Sequence, residues 1–360
     1  MTRIKFVDVP PFQDATKIEA RLMATLRRLR DLPRQPARAE WEDEDDSEPM
    51  VKGTPITYDD TKKVKRRAGL LADRQAAYAG VSHLKKDELA RITTVLQGVD
   101  LAMVKTEHWA DEVAAELHAD MPWMGPATEY AWHALRRAAR RGEAIRMRPV
   151  ILNGPPGIGK SVWARKLAKF LSVPTADIDA SKGGAGFALC GLDRGWGTAL
   201  AGRPLDLILG RRIANPVIIV DELCKAKRGT STNGTGFSFA DALLSLIEPA
   251  TSAEWECPYF RLRFDMSHIV WVMTANDVHK VPETVRSRCQ LIQLPDITPV
   301  QLSAFAKAQG QKMELSDLGV EAILEVLDRA PKVLGRRLSL RDVIRALERG
   351  EGLEERPWVQ

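Results

Sequence analysis

Two hydrophobic patterns divide the chain near residue 148. Before it, apolar residues recur at helical spacing, for example at Ile18, Leu22, Leu26 and Leu29, and this spacing predicts helices. After it, apolar runs alternate with amphipathic helical runs; the apolar runs occupy residues 149–153, 176–179, 216–220, 268–273 and 291–294. Apolar strands separated by helices are typical of a parallel sheet that helices cover on both faces. The predicted fold class is therefore α/β.

The same patterns predict the domain organisation. Residues 31–67 are rich in proline and acidic residues and poor in apolar ones, which is typical of a linker or a disordered segment. From residue 298 onward the pattern is helical only. The predicted domains are an N-terminal helical segment at 1–30, the linker at 31–67, a helical region at 68–148, an α/β core at 149–296 and a helical lid at 297–360.

Composition narrows the class of protein. The formal net charge of +5 over 360 residues is a mild excess, which fits weak attraction to acidic partners but does not establish nucleic-acid binding. The four cysteines are far apart and form no CxxC pair, so we expect a reducing compartment. The N-terminus has no apolar signal core, and no apolar run reaches the ~18 residues of a membrane span. We expect a cytoplasmic protein with no membrane partner.

The sequence GPPGIGKS after the first apolar run fits the pattern GxxxxGK[ST]. Glycines let the backbone curl so that its N–H groups face a phosphate, and the following helix presents its positive end to the same anion. Lys160 is then expected to contact the β- and γ-phosphates of ATP, and Ser161 to bind Mg²⁺. The predicted phosphate-binding residues are Gly154, Pro155, Pro156, Gly157, Ile158, Gly159, Lys160 and Ser161.

Polar residues follow two later apolar runs. Asp221 and Glu222 end the run at 216–220, and Asn276 follows the run at 268–273. Carboxyl ends of parallel strands meet at one edge of a sheet, so the carboxylates should lie beside the phosphate loop. Asp221 is predicted to hold Mg²⁺, and Glu222 to orient and deprotonate the attacking water. Asn276 is predicted to hydrogen-bond that water or the γ-phosphate.

At these residues the chain resembles the AAA+ ATPases, and within them the ATPase module of the Lon protease family. The resemblance covers residues 149–350 and rests on five segments in order: GPPGIGKS, VDELCKA, DALLSLIEP, FDMSHIVWVMTAND and VPETVRSRCQLIQLP. It implies a P-loop AAA+ core with a C-terminal helical lid, and it assigns Asn276 as sensor 1. It also implies an oligomeric ring, most commonly of six subunits.

The resemblance implies three further sites. Ser287-Arg288-Cys289 is similar to the SRC box of clamp loaders, so Arg288 is the candidate arginine finger for a neighbouring subunit, with Arg286 as the fallback. Arg341 and Arg337 are alternative candidates for the sensor-2 arginine of the lid. Trp196, followed by Gly197, falls where Lon-like proteins carry a pore-loop aromatic that grips a polypeptide.

The sequence ends at Gln360, after the predicted lid. We therefore expect an Mg-dependent ATPase that is not itself a peptidase. The first hypothesis is a ring that remodels or threads a protein substrate. The alternative is a clamp-loader-like switch that acts on DNA or on a partner protein, which the SRC box and the six arginines between residues 136 and 148 favour. A scaffold that binds ATP without turnover is a third hypothesis, and the intact acid pair argues against it.

Overall fold

A computed structural model describes residues 2–31, 55–195, 197, 199–226, 228–230, 236–334 and 337–354. The α-helices in this part of the chain are α1 (Ala15–Asp31), α2 (Tyr58–Tyr78), α3 (Lys86–Val95), α4 (Glu107–Asp120), α5 (Gly125–Arg141), α6 (Lys160–Phe170), α7 (Ala185–Cys190), α8 (Arg203–Arg211), α9 (Phe239–Ile247), α10 (Pro249–Ser252), α11 (Glu283–Arg286), α12 (Pro299–Lys312), α13 (Asp317–Leu334) and α14 (Leu340–Glu354).

The strands in the same residues are β1 (Thr2–Ile4), β2 (Val99–Leu101), β3 (Val150–Asn153), β4 (Thr175–Asp179), β5 (Val217–Asp221), β6 (Arg228–Thr230), β7 (Gly236–Ser238), β8 (Trp255–Cys257), β9 (Leu262–Phe264), β10 (Val270–Ala275) and β11 (Gln290–Gln293). The chain divides into two compact units, one of Asp8–Leu96 and the other of Met1–Val7 with Gln97–Gln360.

A five-stranded sheet organises the larger unit. Its strand order is β11-β3-β10-β5-β4, and every neighbouring pair is parallel. All residues of β3 and β10 are buried, as are Val217–Val220 of β5, because helices cover both faces of the sheet. The edge strands β4 and β11 carry more exposed positions. This is the parallel α/β sheet that the apolar runs predicted.

Helices α12, α13 and α14 occupy the residues for which a lid was predicted, and we refer to these three helices as the lid. Thr298 caps α12, since its side chain accepts from the N–H of Gln301 while the Gln301 side chain accepts from the N–H of Thr298. Helix α14 begins beside the loop that follows β3, where the N–H of Leu340 donates to the carbonyl of Gly157 at 3.2 Å. The lid therefore contacts the phosphate-loop candidate directly.

The N-terminal boundaries differ from the predicted ones. Residues 2–7 belong to the larger unit, because β1 pairs with β2 and Phe6 packs on Phe264 at 5.4 Å between ring centroids. Residues 97–148 belong to it as well.

In the smaller unit α1 packs against α2, and α2 begins at Tyr58, inside the segment predicted as linker. The cause is a capping box, in which Thr57 and Asp60 satisfy each other's backbone N–H groups. The linker residues 32–54 lie outside the described residues.

Candidate functional site

The turn between β3 and α6 has the curled backbone that its glycines predict. Gly157 and Gly159 have φ angles of 79° and 87°, a conformation that L side chains adopt at a cost. A Cβ atom at Gly157 would lie 2.7 Å from the Cβ of Ser339, and one at Gly159 would lie 2.7 Å from the Met121 side chain. Glycine is therefore required both for the curl and for the close approach of the lid.

Lys160 is 7% exposed at the start of α6. Its ammonium group donates to the carbonyls of Gly154 and Pro155 at 2.7 and 2.9 Å, and to Oδ1 of Asn276 at 2.8 Å. Burial lowers the pKa of Lys160 from its ordinary 10.5 to about 8, against the opposing attraction of nearby Asp221. The site thus holds a buried cation that an anion would stabilise.

The predicted acid pair lies at the end of β5. Thr274 of the adjacent β10 donates its hydroxyl proton to Oδ1 of Asp221, and the backbone N–H of Glu222 donates to Oγ1 of Thr274 at 3.1 Å. Glu222 has a φ of 55°, which is uncommon for a residue other than glycine. Its carboxylate accepts from Nζ of Lys225 at 2.8 Å. One threonine therefore holds both carboxylate residues.

These groups meet in one cavity of about 290 Å³ between the sheet and the lid. The predicted site residues that line it are Pro156, Gly157, Gly159, Lys160, Ser161, Asp221, Glu222, Asn276 and Arg341. The carbonyl groups of Gly154 and Pro155 accept from the Lys160 ammonium, and the Ile158 side chain is buried.

The structure separates the two sensor-2 candidates. Arg341 lines the cavity, whereas Arg337 contacts Asp296 at 2.8 Å, and Arg337 is not among the residues that line it. Ser339 and Asp342 form the start of α14, since the N–H and hydroxyl of Ser339 each donate to Asp342 at 2.8 Å. Of the two candidates, Arg341 in helix α14 is therefore the one that lies beside the phosphate loop.

The finger candidates lie elsewhere. Arg288 is exposed, its Nε contacts Glu248, and its Nη1 donates to the carbonyl of Thr284 at 2.9 Å. Arg286 is half-buried, and its Nε is buried with no hydrogen-bond partner among the described residues. Neither arginine lines the Lys160 cavity of its own chain. Trp196 lies outside the described residues, and its neighbour Gly197 is exposed.

Sequence reasoning missed several residues of this cavity. Thr274 is a buried polar residue inside an apolar strand, and this anomaly was the available signal. Met121, Phe305, Leu340 and Ile344 add apolar surface to the cavity. They come from segments far apart in the sequence, so no local pattern links them to the phosphate loop.

The donor set fits a magnesium-bound triphosphate. Mg²⁺ keeps several waters and takes one or two protein oxygens together with phosphate oxygens. The Ser161 hydroxyl and the Asp221 carboxylate are such oxygens, and both line the cavity. Among the described residues no group of three or more His, Cys, Asp or Glu is placed to hold a metal ion. The fold and this site define the core of a P-loop ATPase.

Comparisons with known proteins refine the class. Residues 150–296 match the family described as "ATPase family associated with various cellular activities (AAA)", and this segment is an AAA domain. Over the ATPase region the chain is similar to Lon proteases. It is 28% identical over 223 residues to Lon protease of Fervidobacterium nodosum (strain ATCC 35602 / DSM 5306 / Rt17-B1), covering 60% of this chain and 26% of the relative.

Two further similarities agree. Lon protease homolog 2, peroxisomal, of Spinacia oleracea is 25% identical over 270 residues, covering 67% of this chain and 29% of that protein. A structure titled "Closed State CryoEM Reconstruction of Hsp104:ATPyS and FITC casein" superposes with a TM-score of 0.52 at 12% identity, covering 81% of this chain and 55% of that chain. The latter shows the shared fold alone. The chain spans between a quarter and a third of the length of both Lon relatives.

Proposed function

We propose that this chain hydrolyses ATP with magnesium and assembles into a ring that remodels or threads a protein substrate. One observation carries the ATPase assignment: Lys160, the acid pair, Asn276 and Arg341 line one cavity between the sheet and the lid. The proposal assigns ATP hydrolysis to the chain and no peptide-bond hydrolysis.

The chemistry follows from the side chains. Backbone N–H groups of the curled turn and the Lys160 ammonium bind phosphate oxygens, and Lys160 exchanges its carbonyl partners for them. Magnesium, when bound, supplies charge neutralisation at the phosphates. The Glu222 carboxylate must first separate from the Lys225 ammonium, and it then accepts the proton of the attacking water. We assign to Asn276 the orientation of that water, and the contact of its Oδ1 with the Lys160 ammonium supports this role.

The proposed ring rests on Arg288. A cation must face the phosphate that leaves, and a finger supplied by a neighbouring subunit accelerates related reactions ~10³-fold or more. Arg288 is exposed and lies outside the cavity of its own chain, which supports a role in the site of a neighbour. We propose six subunits on the likeness to the AAA family, and a cytoplasmic location that suits the four free cysteines.

A phosphate-release assay tests the ATPase. We expect the wild-type protein to release phosphate and Glu222→Gln to lose about 10³-fold or more in rate while it still binds ATP. Equal rates in the two proteins would contradict the assigned base.

Threading is tested separately with Trp196→Ala and a labelled unfolded protein. Lon relatives are proteases by name, so a polypeptide is the proposed substrate. We expect ATP-dependent unfolding to be lost while ATP hydrolysis stays within about twofold, because a pore residue does not contact the phosphates. Undiminished unfolding would rule out the pore role.

A clamp-loader-like switch is the second candidate. Helix α2 carries Lys62, Lys63, Lys65, Arg66 and Arg67 on its exposed surface, and such a surface attracts nucleic-acid phosphates. This candidate predicts ATP-dependent DNA binding whose affinity falls steeply with salt. Binding that is absent at low salt would exclude it.

A further inference from the structure

A second cavity, of about 670 Å³, lies at the edge of the sheet opposite to Lys160. Pro149 and Ile269, which line it, immediately precede β3 and β10. Because the strands are parallel, their amino ends lie away from the turn at Gly157, which follows the carboxyl end of β3. This cavity is therefore separate from the one that holds the acid pair.

The sequence directs several arginines to this cavity. Tyr130, Arg137 and Arg141 of α5 recur at helical spacing and so lie on one helix face. Between residues 145 and 148 buried and exposed side chains alternate: Ile145 and Met147 are buried, and Arg146 and Arg148 are exposed. The arginines that line the cavity are Arg137, Arg141, Arg146, Arg148 and Arg288.

Positive charge in this cavity exceeds negative charge. Glu143 and Glu248 are the only carboxylates among its lining residues. Glu248 contacts Arg288, and Glu143 lies 3.9 Å from Arg141. The side chains of Arg137 and Arg146 have no hydrogen bond or ion pair with any residue that the structure describes. Two guanidinium groups are thus available to a ligand.

The wall that carries Arg288 is fixed by its neighbours. Arg148 donates from Nη2 to the carbonyl of Ser287 at 2.9 Å and from Nε to the carbonyl of Arg288 at 3.3 Å. The hydroxyl of Tyr130 donates to the carbonyl of Arg148 at 3.0 Å. The chain from α5 to the turn after α11 is therefore connected by hydrogen bonds.

The ligand chemistry follows from the donors and the floor. Guanidinium groups bind phosphate oxygens with paired hydrogen bonds. Trp271 and Ile269, both buried, give the cavity an apolar floor, and a low local dielectric strengthens ionic contacts above it. The volume is in the range of small-molecule sites.

We propose that this arginine cavity is a second phosphate-binding site, in which Arg137 and Arg146 bind the oxyanion. Two sources of phosphate fit this chemistry. The first source is the nucleotide of a neighbouring subunit, and it requires the proposed ring. Such a nucleotide would approach the cavity beside Arg288, which is one of its lining residues. The other source is a free phosphorylated small molecule.

The first experiment measures phosphate binding in a protein whose Lys160 cavity has been disabled. Lys160→Ala protein is titrated with inorganic pyrophosphate by calorimetry at low salt. Adding Arg137→Ala and Arg146→Ala should weaken binding by about tenfold or more, because charge-assisted hydrogen bonds are lost. The matched control adds Arg27→Ala and Arg28→Ala, which remove the same charge from exposed positions of α1 and should leave the affinity within about twofold.

The second experiment measures ATP turnover with Lys160 intact. If the neighbour supplies the phosphate, Arg137→Ala/Arg146→Ala should lower kcat by about tenfold relative to the Arg27/Arg28 control. Weaker pyrophosphate binding with unchanged kcat identifies a free ligand instead. The proposal is overturned if the double variant matches the control in both experiments. Should the wild-type protein hydrolyse no ATP, the proposed function fails, and the calorimetry still decides whether the cavity binds phosphate.

Discussion

The hydroxyl of Thr274 connects the two carboxylate residues of the site. It donates to Asp221 and accepts from the N–H of Glu222, so it orients one candidate metal ligand and the backbone of the candidate base. Thr274→Val keeps the shape and removes these hydrogen bonds. We expect kcat for ATP hydrolysis to fall about tenfold or more, as happens when such supporting contacts are lost, with ATP affinity changed less than threefold (~0.6 kcal/mol).

Thr274→Ser is the matched control, because it keeps the hydroxyl and loses a methyl group. Its kcat should stay close to that of the wild-type protein. Steady-state kinetics of the three proteins check the prediction, and a Val variant as active as the Ser variant would contradict it.

Lys160 makes nucleotide binding depend on pH. Its pKa of about 8 in the free protein lies below the ordinary 10.5, so the neutral form is favoured by folding and stability rises as the pH increases from 8 to 10.5. Phosphate oxygens favour the charged form and raise the pKa again. ATP affinity should therefore fall as the pH rises above about 8, and binding at pH 8 should take up about half a proton.

Calorimetry of Glu222→Gln protein in buffers of different ionisation enthalpy measures this uptake without hydrolysis. At pH 6.5 the lysine is protonated before and after binding, so its contribution should vanish. Identical apparent enthalpies in all buffers at pH 8 would show that Lys160 does not change its protonation.

Sequence reasoning at this scale identified residues with a local signature. Lys160 and Ser161 belong to a contiguous motif, and Asp221 and Glu222 directly follow an apolar run. Thr274 was missed because its role depends on the pairing of β10 with β5, which no short segment encodes.

At the scale of elements, the contact between the phosphate turn and α14 is the most restrictive. Gly157 has positive φ, and a Cβ there would meet the Cβ of Ser339, which cannot rotate away. Gly157→Ala should therefore displace the lid in addition to the backbone cost of about 1–2 kcal/mol. We expect ATP affinity to fall by about tenfold or more, since the displaced lid carries Arg341.

Gly142→Ala is the control for the backbone cost. Gly142 ends α5 with a φ of 61°, and a Cβ there has no atom within 4 Å. Denaturant unfolding should show a loss in both variants, whereas only Gly157→Ala should lose ATP affinity. Equal ATP affinities would mean that the lid tolerates the added methyl group.

Helix boundaries can be predicted from sequence where caps are local. Gly142 ends α5 in the left-handed conformation, and a glycine directly after a helical run is the signal for such an end. The start of α2 was missed because its first turns are charged. The polar composition of residues 31–67 predicted a linker, although Thr57 and Asp60 form a helix cap there. Strand β1 was missed as well, since it is three residues long and is stabilised by its pairing with distant β2.

At the scale of the molecule, the apolar runs predicted a parallel sheet because buried strands need apolar residues on both faces. The order β11-β3-β10-β5-β4 is not encoded in any run. Among the described helices, none combines the length and apolar character needed to cross a bilayer.

The ring itself can be tested by mixing defective subunits. Arg288→Ala leaves the Lys160 cavity of its own chain intact, and Glu222→Gln leaves the finger intact. If the finger acts between subunits, an Arg288→Ala subunit becomes active when its Arg288-supplying neighbour is a Glu222→Gln subunit. Random assembly of an equal mixture produces this arrangement at about a quarter of the interfaces, whatever the ring size.

The mixture should therefore recover about a quarter of the wild-type turnover per subunit, although each variant alone is inactive. This is checked by measuring phosphate release after subunits have exchanged without unfolding. The control is a mixture of the Glu222→Gln/Arg288→Ala double variant with inactive Lys160→Ala. No subunit of this mixture has both Lys160 and Glu222 in its cavity, so the mixture should stay inactive. If the first mixture stays inactive while exchange is demonstrated by fluorescence, Arg288 acts within its own chain and must leave Glu248 to do so.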